Sequence, residues 1–488
     1  MRRFLVVAIL PALLFLAGCT RYGATLARPE DPVVMTGAQV PALLGLAPDH
    51  VVGFAWDGNA WHQVPVQVDE RDLVNPATIL HRASPAHLAN GSDFTFLAYT
   101  RPQTALSSQG YSWAPTYTPL DSDPTLDGND EVTLLANDTG VAVADGTPPP
   151  PGVDATKRAA VHVSDPIASG QDGYVYLFAA TTATPSGGGT SGVQYTFSLD
   201  SGDYRATYHM GTGAISPNNT AAANPEHSSV TTPNYSLSFS DRWLNNGLRI
   251  TTGGSDAANL LERGRYQFAV GVCGRSEDTF DYTVPASPYE GAFIANVTGP
   301  VRALRSYIGA NSGTYTAETD VFYPQREDAI VNLRVHPIPG VMGFDDLATG
   351  VSGLHYSDEQ KPAGVTIDGT NDTLPSGVPT WQMVSSSAHG SFVTVRSIST
   401  NISGLTLSRY YLDQNPASPT PCTGDAAAWG QNGIQITSAI ACTDPTMSAC
   451  SNTLTSTRLR YFEGPSTTAK TAASLRDHAL NPLVVAVS

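Results

Sequence analysis

Two stretches of this sequence gather side chains that could do chemistry. The first is acidic: Asp121, Asp123, Asp127, Asn129, Asp130 and Glu131, with Gly128 among them. Closely spaced carboxylate and amide oxygens around a glycine turn are what a hard cation such as Ca²⁺ takes as ligands. The same residues suit a tight turn leading into the apolar run Val132 to Ala136, because Asp and Asn bond their own backbone two residues on. Calcium and a plain acidic turn both stay open. The second set lies between Gly299 and Gly340, where Val301 to Ile308, Thr314 to Phe322 and Ala329 to His336 read as successive strands. Alternation puts Arg305 with Tyr307 on one face, and Arg334 with His336 on one face. If those faces coincide, two guanidinium groups could neutralise a uronate carboxylate while Tyr307 or His336 removes a proton beside it. The competing reading is a sheet face whose arginines pair with Glu318, Asp320 and Glu327.

The elements that must position these residues are strands. After the first residues, only Ala257 to Arg265 and Ala472 to Leu480 have the composition and period of a helix. Runs such as Val51 to Trp56, Tyr174 to Ala179, Tyr195 to Leu199, Tyr266 to Val272 and Phe392 to Ile398 alternate between Gly, Pro, Ser and Asn clusters, which predicts an all-β protein built of β-sandwich modules. Pro148 to Pro151 form a stiff polyproline stretch. It predicts a linker over 146–154 between a β domain at 32–145 and a larger one at 155–488, the latter either one wide sandwich or two modules divided near Gly364 to Pro379. Asp57 to Ala60 read as the turn of a hairpin whose flanking Trp56 and Trp61 would stack on sugar rings if exposed, and would pack if not.

Some of these features resemble known families. The acidic stretch is similar to calcium loops with Asp-x-Asp-x-x-x-Asp spacing, but departs from the EF-hand in having Pro124 at a ligand step and no glutamate at the twelfth position. From about Val51 to Gly140 the chain resembles β modules at the front of bacterial surface proteins, some of them linked to polysaccharide breakdown. The larger part is similar in architecture to mutarotase-like sandwiches, which polysaccharide lyases use. That likeness is one of architecture only; Arg305, Tyr307, Arg334 and His336 stand as a working set on their alternation.

The N-terminus carries the clearest signature. Arg2 and Arg3 precede an apolar run from Phe4 to Gly18, the form of a secretory signal and too short for a span of roughly 20 residues. It closes on Leu16, Ala17, Gly18 and Cys19, which resembles the lipobox of bacterial lipoproteins. The resemblance implies cleavage after residue 18, lipid on Cys19, a tether over 19–31 and display on the cell envelope, in the outer membrane of a Gram-negative cell. The other cysteines, Cys273, Cys422, Cys442 and Cys450, are even in number and suit disulfides in an oxidising compartment. Of three connectivities, Cys442–Cys450 with Cys273–Cys422 is preferred.

With 26 basic against 43 acidic residues and a net charge of -17, a nucleic-acid partner held by a basic face is excluded. Neither a Gly-x-Ser-x-Gly elbow, a His-Glu-x-x-His pair, a Ser-x-x-Lys nor a phosphate-binding Gly-Lys loop occurs. Three readings follow: a surface-anchored binding or adhesion protein for glycan or another envelope polymer, a polysaccharide lyase or other carbohydrate-active enzyme, and a structural part of an envelope assembly. The first is preferred; the second requires its four residues to converge in a groove.

Overall fold

The computed structural model describes residues 21–74, 96–100, 123–183, 192–198, 205–206, 226–241, 244–268, 291–310, 313–334, 340–418, 427–441 and 452–488. The fold is all-β and consists of β-sandwiches with antiparallel ladders.

In the smaller sandwich a three-stranded sheet runs Pro32–Thr36, Glu131–Leu135, Gln67–Asp69. Facing it is a five-stranded sheet, Val484–Val487, Val153–Ser164, Asp172–Ala180, Val51–Trp56, Trp61–Val64. Alternation makes the core: Val161 and Val163, Val175 and Leu177, Val132 and Leu134 all turn one way and are buried together with Val33 and Met35. The opposite face of the five-stranded sheet carries a second cluster around Val52, Tyr176 and Phe178.

The four prolines do not separate two bodies. Pro148 to Pro151 lie between the strands Glu131–Leu135 and Val153–Ser164, both in the small sandwich, and the Pro148 carbonyl accepts from the Trp61 indole N–H at 2.9 Å. The division at 146–154 is therefore corrected to a strap across one sheet, since a polyproline run is equally stiff as a joint or as a covering loop. Among the described residues, the strands of the small sandwich fall between Pro32 and Ala180 and at Val484–Val487, and those of the larger sandwich fall between them in the sequence.

That larger body packs an eight-stranded sheet on a ten-stranded one. Ala303–Ala310, Gly313–Phe322 and Arg326–Arg334 are consecutive neighbours in the ten-stranded sheet, as the meander predicts. Lys361–Thr366 and Gln382–Ser386 flank one strand of that same sheet, so no module boundary falls at Gly364 to Pro379. Tyr235, Leu237 and Phe239 from one sheet meet Phe322, Phe392 and Phe462 from the other, with Tyr235 and Phe462 stacked at 3.9 Å. Burial of such rings dominates core stability, each worth about 3–5 kcal/mol against alanine.

The helix expected at Ala472 to Leu480 forms as Ala469–Leu480. Thr468 caps it, its hydroxyl accepting from the Thr471 N–H, and Ala472 is buried against Trp381, Val393, Val395 and Tyr461. The other expected helix is a strand, Leu261–Phe268, paired with Val341–Leu347. Pairing with a partner 80 residues on overrides the local propensity of Ala257 to Arg265.

Arg302 fastens the two sandwiches. Its Nε and Nη2 donate to Asp69 at 2.8 and 2.7 Å, Nη2 also to Glu131 at 2.7 Å, and Nη1 to the Tyr323 hydroxyl at 3.0 Å. Gln67 Oε1 accepts from the backbone N–H groups of Val301 and Arg302. Gly299 leaves room for it, because a Cβ there would overlap the Gln67 amide and displace it from these bonds.

Candidate functional site

Alternation did place Arg305 and Tyr307 on one face, but that face turns toward the eight-stranded sheet. Both side chains are fully buried. Arg305 grips Glu226 with Nε and Nη2 at 3.0 and 2.7 Å and Asp320 with Nη1 at 3.0 Å, and lies over the Phe239 ring. Tyr307 packs edge-on against Phe293. Arg334 ends its strand opposite Thr453, and His336 lies outside the described residues. For Arg305 and Tyr307 the expected groove is therefore corrected, since both side chains face the closed space between the sheets; the Arg334 side chain, like His336, lies outside the described residues.

The arginine-carboxylate pairing foreseen as the alternative runs deeper into the same layer. Arg458 and Arg460 both reach Glu327 and Asp345, and Arg396 reaches Asp345. Five carboxylates (Glu226, Glu318, Asp320, Glu327, Asp345) share this layer with four guanidinium groups (Arg305, Arg396, Arg458, Arg460). Burial, then Asp320 beside it, lift the Glu318 carboxyl well above the usual range against the pull of Arg305 and Arg458. Asp320 is pushed up to about 6 by burial, with Arg305 opposing.

The acidic stretch serves its own turn. Asp127 accepts from the N–H of Asn129 and of Asp130; Asp130 accepts from the N–H groups of Arg71 and Asp127; Asp123 accepts from Thr125. Glu131 accepts from Arg71, Arg302 and the Tyr99 hydroxyl. Burial would raise the Glu131 carboxyl, but the two guanidinium groups outweigh it and hold it below its usual value. Asp121 lies outside the described residues, as do Cys19, Cys273, Cys422, Cys442 and Cys450. Among the described residues no cluster of His, Cys, Asp and Glu is arranged to hold a metal ion.

Trp56 and Trp61 face each other across the predicted hairpin. Trp61 meets Phe54, Trp56, Tyr176 and Phe178 edge to face, at 5.2 to 6.4 Å, so its ring packs instead of presenting a platform. The turn is held by Asp57, whose carboxyl is lowered to about 2, first by the Ala60 N–H it accepts, then by His62 and the Asn59 N–H.

Among the described residues, one cleft lies where the two sandwiches and the helix meet. Its cavity of about 160 Å³ is lined by Ala27 to Asp31 of the small sandwich, by Gln325, Arg326, Tyr461 and Glu463 of the ten-stranded sheet, and by Leu475 and His478 of the helix. Arg326 lies over the Tyr461 ring, 5.6 Å from its centre, while its Nε and Nη2 hold Asp328 at 2.7 Å. Glu463 accepts from the Gln325 amide at 3.0 Å, and burial lifts its carboxyl. Burial likewise lifts Glu30, opposed by Arg21, and lowers the His478 imidazole, opposed by Asp31. Sequence reasoning missed this site. Its three walls are far apart in the sequence, Arg28 and His478 being 450 residues from each other, and although they fall in a tether, a meander and a helix read from the sequence, nothing in the pattern brings those three together.

No protein-family profile matches the chain, and no curated protein is similar to it. Among solved structures it is similar to a TPR-domain containing protein from Parabacteroides distasonis, at 10% identity over 58% of this chain and 57% of that one, TM-score 0.32. It is similar to a glycosyl hydrolase family 38 protein from Enterococcus faecalis, at 8% identity over 95% of this chain and 46% of that one, TM-score 0.41. Heparinase III is similar at 9% identity over 59% of this chain and 39% of that one, TM-score 0.27. The chain thus spans about half the length of the structures it matches first.

Proposed function

We propose that this chain is a lipid-anchored protein of the bacterial envelope that binds glycan, one saccharide ring at a time, in the cleft between its sandwiches. The observation that carries this reading is the cleft's size and lining. The cavity measures about 160 Å³, close to the roughly 150 Å³ that holds one benzene ring, so it takes part of a saccharide and no more than one ring. Its walls combine hydrogen-bonding groups on Glu30, Gln325, Glu463 and His478 with apolar surface from Pro29, Tyr461 and Leu475, which suits a ring with hydroxyl edges and C–H faces. Binding is favoured over lyase chemistry because Arg305 and Tyr307 are closed off. Attachment rests on the lipobox ending at Cys19.

The test is calorimetric titration of the full-length chain with a panel of oligosaccharides, beside the variants Glu463→Gln and His478→Ala. Saturable binding by some member, weakened in both variants, is expected. A blank panel at millimolar ligand, or binding untouched by both substitutions, overturns the reading. For the anchor, Cys19→Ser is expected to move the protein from the membrane to the soluble fraction.

A further inference from the structure

The charge of the cleft narrows what it takes. Arg28 is committed: its Nη2 meets Asp165 at 3.1 Å and the Asn481 carbonyl at 2.8 Å, and its Nη1 meets Asp31 and the His478 carbonyl at 3.4 Å. Arg326 is committed to Asp328 through two nitrogens. Two acids of the lining are left without a cation in hydrogen-bond reach. Glu463 has one neutral donor, the Gln325 amide, and Glu30 feels Arg21 only through space, Arg21 lying 3.8 Å from Asp138. The third titratable wall group, His478, adds no compensating charge in its neutral form.

We infer that the ring bound in this cleft carries an ammonium group, so that the ligand class is an amine-bearing sugar and neither a uronate nor a neutral sugar. The inference rests on the glycan reading above. Glu463 and Glu30 line the same cavity, and an ammonium there would form a charge-assisted hydrogen bond to either carboxylate. The desolvation that lifts both carboxyls is then relieved on binding. A uronate would add a third negative charge to the same space.

Three singly functionalised probes test this by titration of the full-length chain: the methyl glycosides of glucosamine, N-acetylglucosamine and glucuronic acid. Single rings avoid the general pull of a chain of net charge -17 on polycations. The amine is expected to bind about tenfold or more tighter than the acetamide, the range of a hydrogen bond to a charged group. Glu463→Gln and Glu30→Gln are each expected to erase most of that preference, the amine probe losing far more affinity than the N-acetyl probe. Equal binding of amine and acetamide, or tighter binding of the uronate, overturns the amine inference and leaves the glycan reading standing. An amine preference that survives both substitutions overturns the placement in this cleft. Failure of all three probes together with the wider panel overturns the glycan reading itself.

Discussion

Replacing Arg302 by methionine tests whether the two sandwiches are held by a buried charge. Arg302 is 1% exposed and serves two carboxylates, Asp69 and Glu131. Removing one partner of a buried pair costs about 3–5 kcal/mol, because the charge left behind stays desolvated. Here the orphans keep some donors: Arg71 and the Tyr99 hydroxyl on Glu131, and the Gln67 amide on Asp69. The methionine also retains apolar contact along the Tyr99 ring, over which the guanidinium lies at 5.1 Å. The lower end, about 3 kcal/mol, is therefore expected. In urea unfolding with a slope of about 3 kcal/mol/M this moves the midpoint down by about 1 M. Acid should narrow the difference. Glu131 titrates below its usual 4.5 in the fold, so its contribution is whole above that value and fades as pH falls through the lowered one. The triple variant Arg302→Met, Asp69→Asn, Glu131→Gln is expected to recover much of the loss, since no buried carboxylate is left without Arg302 and the half-buried Arg71 keeps the Asn129 carbonyl. A loss under about 1 kcal/mol in the single variant, or a triple variant no more stable than the single, would refute the reasoning.

Glu318→Gln should flatten the loss of stability with rising pH. A carboxyl lifted by burial contributes stability that is present below its unfolded pKa and lost as pH climbs through the folded one, and Glu318 is lifted well above its usual 4.5; thermal midpoints across a pH series read this out, and an unchanged slope counts against it. Trp61→Ala is expected to cost about 2–3 kcal/mol through its ring contacts and to leave saccharide affinity unchanged in the titration above. Because Asp127, Asp130 and Glu131 are turned to N–H and hydroxyl donors, excess chelator should not move the thermal midpoint; a fall restored by Ca²⁺ would return the acidic turn to the list of metal sites.

Strand positions were legible wherever alternation was strong. Val51 to Trp56 reads from sequence with the bounds it has in the fold, and the three-strand meander came within a few residues. Which way a face turns was not legible. Arg305 and Tyr307 share a face as their spacing says, but only the eight-stranded sheet above them makes that face an interior, and a guanidinium is usually read as a surface group. The prolines misled for a related reason: stiffness is local, whereas the pairing of Val153–Ser164 with Asp172–Ala180 and Val484–Val487 is not. The cleft was illegible altogether, since Glu30, Arg326, Glu463 and His478 carry no shared motif and are joined by packing alone.

The return of Val484–Val487 to the five-stranded sheet has a mechanical meaning. The chain passes from the small sandwich to the large one after Ala180 and comes back before Val484. A body slung on a single linker swivels freely, whereas one carried on two ropes rocks about the line between their attachment points. Val484–Val487 pairs directly with Val161 to Ser164, so a pull on the large sandwich loads a ladder of hydrogen bonds along its length, which must shear together.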